Sequence, residues 1–269
     1  MPTAAVNNLN LYYEWHGNAA GPVVVFVNGL LTDTSSWGPH LPYFIARYHC
    51  LVYDCRGQGQ SDKPDEVYET AQHAADLAGL LDALSITQAH LVGLSNGGAA
   101  CLTFAAAQPD RVQSLTVAGA YAAVDTLLRA KLTSWLRAME AGGSPVRFDV
   151  ALPWVWGGAF LDEKYEALQG FREKGVNLPQ APARNLIAGA LVHDCRAGLA
   201  LIRAPTLVIV GADDVLTPPK LAREIAAGVP HGELQIMPDC GHAAALEQVV
   251  EFCDLVTEFI SRSGGGTIR

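Results

Sequence analysis

Half of the 269 residues are hydrophobic, enough for a sizeable core, and open α/β sheets of this length commonly form one unit. The net charge of −9 argues against nucleic acid as a partner, because phosphate binding needs a basic face; no run of about 18 apolar residues is free of charge or breaker, so no membrane span is expected. Six scattered cysteines (Cys50, Cys55, Cys101, Cys195, Cys240 and Cys253) form no C-x-x-C pair and no zinc-ligand spacing, and are expected as buried free thiols of a reducing compartment.

The chain opens at Met1-Pro2-Thr3 without a basic region and apolar stretch, so no secretory signal is read and a cytoplasmic location is expected. Val6 to Trp15, with Asn7-Asn8 near its start, predicts an antiparallel hairpin at a sheet edge. Apolar, β-branched runs then recur at Val23 to Val27, Cys50 to Tyr53, His90 to Val92, Ser114 to Val117 and Thr206 to Val210. They lack polar alternation, so both faces should be buried, as in a parallel sheet. Helical patterns over Trp37 to Arg47, Thr70 to Leu84 and Asn96 to Gln108 lie between them, and this alternation implies a right-handed doubly wound α/β sheet. After Gly119 the alternation stops. Residues 121–203 are helical in flavour, broken by Gly142-Gly143, Pro145, Gly157-Gly158, Gly175 and Pro179, and the sheet pattern resumes at Pro205. The expected organisation is a core of residues 1–120 and 204–263, an inserted helical cap of residues 121–203, and a flexible tail of residues 264–269.

Gly93-Leu94-Ser95-Asn96-Gly97 is a G-x-S-x-G element between a predicted strand and a predicted helix. A sharp turn there thrusts the Ser95 hydroxyl into the open, and small neighbours let the chain make it. Such a hydroxyl needs a base to take its proton, and behind this type of elbow the chain order is nucleophile, acid, base. Gly211-Ala212-Asp213-Asp214 follows the strand Thr206 to Val210 and precedes Thr217-Pro218-Pro219. The G-x-x-D spacing favours Asp214 over Asp213, and a helix N-cap is the ordinary role for either. Cys240-Gly241-His242 follows the predicted last strand, Leu234 to Met237, and precedes a helix around Glu247 to Ile260. The other histidines precede Ser95, fall in the cap (His193) or precede the last strand (His231), which leaves His242 as the base. Two donors should hold the oxyanion: the backbone N–H of Asn96 and, from the loop Asn28-Gly29-Leu30-Leu31-Thr32-Asp33, that of Leu30.

These motifs resemble those of the α/β-hydrolase superfamily along almost the whole chain. Asp54-Cys55-Arg56-Gly57-Gln58-Gly59-Gln60-Ser61-Asp62 is similar to the D-x-R-G-x-G-x-S-D signature of its small bacterial esterases, where the segment is structural. Phe26 to Asp33 followed by Trp37, Gly93-Leu94-Ser95, and Asp214 to Pro219 look most like the 3-oxoadipate enol-lactonases, although those more often place Met or Leu where this chain has Asn96. The resemblance implies an α/β-hydrolase fold and a cofactor-free serine hydrolase, with no metal, that acts on a small-molecule ester or (enol-)lactone through an acyl-enzyme. Cofactor-free perhydrolases (haloperoxidase-like) and C–C bond hydrolases use the same triad, and a hydrolase-like receptor would keep it. Aromatic pocket walls are expected from Tyr121, Trp135, Trp154, Trp156 and Phe160, with Trp37 joining from the core. Residues 121–203 hold ten Lys/Arg against eight Asp/Glu while the remainder holds eight against nineteen, a contrast that would suit an anionic substrate. Oligomeric state is left open.

Overall fold

The computed structural model describes residues 2–174 and 179–263. The break at Gly175 and the tail 264–269 lie outside them. Eight strands form one sheet: β1 (Thr3–Val6), β2 (Leu9–Gly17), β3 (Val23–Val27), β4 (His49–Tyr53), β5 (Ala89–Leu94), β6 (Val112–Ala118), β7 (Thr206–Gly211) and β8 (Gly232–Met237). Their spatial order is β1-β2-β4-β3-β5-β6-β7-β8. The β1–β2 and β2–β4 pairs are antiparallel and the rest parallel. The edge hairpin turns at Asn7-Asn8, both with positive φ (48° and 65°), a conformation asparagine tolerates better than most side chains.

Helices α1 (Thr70–Ala83), α2 (Asn96–Ala107) and α6 (Pro219–Gly228) contribute Leu77, Leu81, Leu102 and Ile225 to the core on one face of the sheet, against Val25, Leu91 and Val208. Helices α7 (Ala244–Glu247) and α8 (Val249–Ser263) lie on the other, where Phe252, Val256 and Phe259 meet Phe26, Val52 and Ile209. Alternate strand residues thus serve opposite cores, which is why the strand sequences are apolar throughout. The helix expected over Trp37 to Arg47 is replaced by short 3-10 turns at Thr34–Trp37 and Leu41–Tyr43. Gly38 and Pro42 interrupt the helical hydrogen-bond ladder there.

Between β6 and β7 lie α3 (Thr126–Val155), α4 (Gly158–Lys174) and α5 (Gln180–Ala190). The long α3 is kinked at Gly142 and Gly143, whose backbone leaves the helical region (φ −163° and 69°) just before Pro145. These helices have their own apolar cluster, which Leu30, Leu31, Tyr121 and Leu216 join from loops at the carboxyl ends of the strands. None of the described helices is long and apolar enough to cross a membrane.

Candidate active site

Strands β3 and β5 are neighbours, while the chain between them visits β4 on the far side of β3. Connections leave these strands in opposite directions, which opens a crevice at their carboxyl ends. Ser95 follows β5 at that crevice with φ 52° and ψ −119°, a conformation sparsely populated by residues with a side chain. Its N–H is anchored to the carbonyl of Ala118 at 2.8 Å. A Cβ on Gly97 would lie 2.4 Å from the carbonyl oxygens of Val27 and Asn28, and one on Gly93 2.8 Å from Gly97 and Gly98. Those glycines of the motif are therefore demanded by space. Gly29 is not, since a Cβ there would meet Ser95 Cβ at an ordinary 3.5 Å.

The structure brings three distant side chains together. His242 Nε2 lies 3.1 Å from Ser95 Oγ, and His242 Nδ1 lies 3.0 Å from Asp214 Oδ2. Asp214 is buried and Asp213, its rival in the sequence, is exposed. The Asp214 carboxylate does not cap α6, whose N-cap is Pro218; it pins its own loop instead. Oδ1 accepts from the N–H groups of Leu216 (2.9 Å) and Thr217 (2.8 Å), which leaves Oδ2 to the imidazole.

Thr217, seen in the sequence only as a prelude to a helix, completes the arrangement. Its hydroxyl lies 2.9 Å from each of Asp214 Oδ2, His242 Nδ1 and the carbonyl of Gly119. With one proton it donates to the carboxylate or the carbonyl, and its lone pairs accept from Nδ1–H. Gly119 has φ 57°, and a Cβ there would sit 3.0 Å from the imidazole, so the ring packs directly against bare backbone.

Glu247 is the second residue that sequence reasoning missed. Its carboxylate accepts from the N–H of Gly241, directly before His242 (3.1 Å), and from that of Gly157, between α3 and α4 (3.2 Å). A third bond, from Ala243 N–H to the Val155 carbonyl at 2.9 Å, joins the same two segments. The loop carrying His242 is thereby stitched to the inserted helices. Burial raises the Glu247 carboxyl above its usual pKa, and the two amides only partly offset this. Glu247 belongs to no recognisable motif, and Thr217 lies within the Asp214 to Pro219 segment without a role of its own assigned there. The one signal available was an acid five residues after the histidine.

Asn96 opens α2, whose first N–H groups have no intrahelical acceptor. Its side-chain oxygen accepts from Tyr121 (2.8 Å) and Thr70 (2.9 Å), which holds the residue in place and gives Tyr121 a polar task. On the facing loop Leu31, next to Leu30, has φ 62°. The loop is pinned by Thr32, whose hydroxyl donates to the Gly29 carbonyl (3.1 Å) and whose N–H donates to Gln58 (2.9 Å). Gln58 comes from the Asp54 to Asp62 segment, in which Arg56 forms a two-pronged ion pair with Asp76 at 2.5 and 2.7 Å.

The aromatic residues divide. Trp135 and Trp154 belong to the apolar cluster of the inserted helices, and their rings stack. Trp156 stacks on Phe160 with 4.9 Å between centroids, at the corner that Glu247 holds. Trp37, expected at a pocket wall, is fully buried in the core beside Phe26 and donates to the Asn28 side chain at 2.7 Å. It supports the loop bearing Leu30 from behind. The described residues contain no group of three or more His, Cys, Asp or Glu that could hold a metal ion.

Comparison with known proteins agrees with this architecture. The family model for the alpha/beta hydrolase fold matches residues 22–249. A relative in Azorhizobium caulinodans that bears the name of a carbamate hydrolase, RutD, is 31% identical over 248 residues, covering 90% of this chain and 92% of its own. The 3-oxoadipate enol-lactonase 2 of Acinetobacter baylyi is 29% identical, covering 97% of this chain and 96% of its own. The crystal structure of MGS-M2, an alpha/beta hydrolase from a Medee basin deep-sea metagenome library, has a TM-score of 0.91 at 28% identity and covers 97% of both chains.

Proposed function

The chain belongs to the alpha/beta hydrolase fold family, and from that membership we propose that it is a serine hydrolase that cleaves a carboxylic ester or lactone by way of an acyl-enzyme. The observation that carries this reading is the unbroken relay from Ser95 Oγ through the His242 imidazole to Asp214 Oδ2, with steps of 3.1 and 3.0 Å. Relatives named for enol-lactone and carbamate hydrolysis support chemistry at a carbonyl flanked by oxygen.

In this mechanism Ser95 Oγ attacks the carbonyl carbon while His242 Nε2 takes its proton. The carbonyl oxygen becomes an oxyanion held by the backbone N–H groups of Asn96 and Leu30. His242 then gives its proton to the leaving oxygen as the C–O bond breaks. Water enters along the same path, loses a proton to His242, and releases the acid from Ser95. Asp214 fixes the tautomer with Nδ1 protonated and stabilises the imidazolium formed in each half. No step passes through a metal or organic cofactor. The helices inserted between β6 and β7 act as a cap that shapes the acyl pocket.

Hydrolysis of a p-nitrophenyl ester by the purified protein tests the proposal. Ser95→Ala is expected to lower kcat by about four to six orders of magnitude while the fold is retained. Turnover that survives this substitution at the original rate contradicts it.

A further inference from the structure

One oxygen of Asn96 is shared by two buried hydroxyls. Asn96 opens α2, so its backbone N–H has no intrahelical acceptor, and none of the described residues accepts from it. That N–H is the donor proposed for the oxyanion, and its aim depends on how the first turn of α2 is held. The side chain supplies the hold. Oδ1 accepts from the Tyr121 hydroxyl at 2.8 Å and from the Thr70 hydroxyl at 2.9 Å. All three residues are buried, and both lone pairs of the oxygen are used. Burial holds the Tyr121 phenol above its ordinary pKa, so the hydroxyl keeps the proton it donates.

Both hydroxyls are placed by the inserted helices. Tyr121 lies where the insertion leaves the sheet, just after β6. Its segment runs antiparallel to the returning one. Ala123 bridges Asp194, Val124 N–H donates to the His193 carbonyl (3.1 Å), and Cys195 N–H donates to that of Ala122 (2.7 Å). The Tyr121 ring meets His193 edge-on at 5.5 Å and shares a cluster with Leu128, Leu132 and Ile187 of α3 and α5. Thr70 begins α1, and the residues before it lie against α5. Tyr68 N–H donates to the Asn185 carbonyl (3.3 Å), and a Cβ on Gly189 would sit 1.9 Å from the Tyr68 carbonyl oxygen. No side chain fits there while α5 keeps its seat. Two separate parts of the insertion thus converge on one atom beside the nucleophile.

We propose that Tyr121 and Thr70 are positioning residues for the oxyanion hole, tying the aim of the Asn96 N–H to the seating of the inserted helices through the Asn96 side chain. The inference rests on Ser95 being the nucleophile. The oxyanion exists only after attack, so a misdirected N–H weakens the transition state and leaves ester binding nearly unchanged. Each hydroxyl therefore acts on kcat and not on KM.

Hydrolysis of p-nitrophenyl butyrate reads turnover, and inhibition by a trifluoromethyl ketone reads the hole. Ser95 Oγ bonds to the ketone carbon, the carbonyl pair moves to its oxygen, and the serine proton passes to His242, which leaves a hemiketal oxyanion in the hole. Tyr121→Phe and Thr70→Val should each lower kcat roughly three- to tenfold, with KM within about twofold and ketone affinity falling by the same factor as kcat. Thr70→Ser, which keeps the hydroxyl, should restore wild-type values. In an Asn96→Leu background, which keeps the backbone N–H but has no side-chain oxygen, Tyr121→Phe should change kcat by less than about twofold. Gly189→Ala, remote from the reacting atoms, should reproduce the paired loss of kcat and ketone affinity as α5 is pushed from Tyr68. Hydroxyl variants that match wild type in kcat, a loss carried by KM, ketone affinity that does not follow kcat, or an effect undiminished in Asn96→Leu overturns the coupling. Should Tyr121→Phe fail to fold, the comparison of Thr70→Val with Thr70→Ser decides alone. Failure of the Ser95 reading is separately visible as hydrolysis that survives Ser95→Ala.

Discussion

At the scale of single residues, Thr217 matters to the imidazole almost as directly as Asp214 does. Both lie about 3 Å from His242 Nδ1, and the Thr217 hydroxyl also ties the Asp214 side chain to the backbone of Gly119. Thr217→Val keeps the shape and removes these bonds. It is expected to lower kcat about tenfold with little change in KM, because the ring loses orientation while the pocket keeps its walls. A pre-steady-state burst should shrink in rate and not in amplitude. The meeting of Ser95, Asp214 and His242 at one sheet edge was legible in the sequence because each follows a strand run and fits a spacing. Thr217 was not, since its role depends on the end of β6 meeting the loop after β7, residues 98 positions apart. Trp37 misled for a related reason: aromaticity near a motif says nothing about which side of the loop the ring takes.

Among the elements, the α3–α4 corner and the His242 loop behave as one piece. Glu247 accepts from an amide in each, and a Cβ on Gly241 would come within 2.5 Å of the Gly157 nitrogen. Glu247→Gln leaves one oxygen to serve two N–H donors and turns an amide group toward them. The expected loss is about 1–3 kcal/mol of stability, together with about a tenfold fall in kcat as the His242 loop loosens. Urea melts and kcat measured on the same preparation check both. Sequence periodicity placed α1, α2 and the sheet runs well because their burial is one-sided or complete. It failed between Trp37 and Arg47, where apolar spacing resembles a helix but Gly38 and Pro42 allow only short 3-10 turns. Glu247 escaped notice because its two amide partners lie on segments 84 residues apart, Gly157 and Gly241, which only the folded chain brings together.

For the whole molecule, the doubly wound order gathers five loops at one edge, and burial of titratable groups sets how that assembly tolerates acid. Burial lowers the imidazoles of His73, His90 and His193 from 6.5 to about 4. In the fold they stay neutral, while the unfolded chain takes up protons below pH 6.5. Their contribution to stability is therefore complete above 6.5 and is lost as pH falls toward 4. By about pH 5 this amounts to roughly 2 kcal/mol at most for each imidazole. Asp54 and Glu247, raised by burial, act with the opposite sign near the carboxylate range. Urea midpoints should accordingly fall between pH 7 and pH 5, and His90→Gln should flatten that fall. The central claim, that one serine is made nucleophilic by a relay assembled across the sheet edge, is met most directly by peptide mass spectrometry after reaction with a fluorophosphonate. A single adduct on Ser95, greatly slowed in His242→Ala, is the predicted result. An unlabelled protein, or an adduct on another residue, would contradict it.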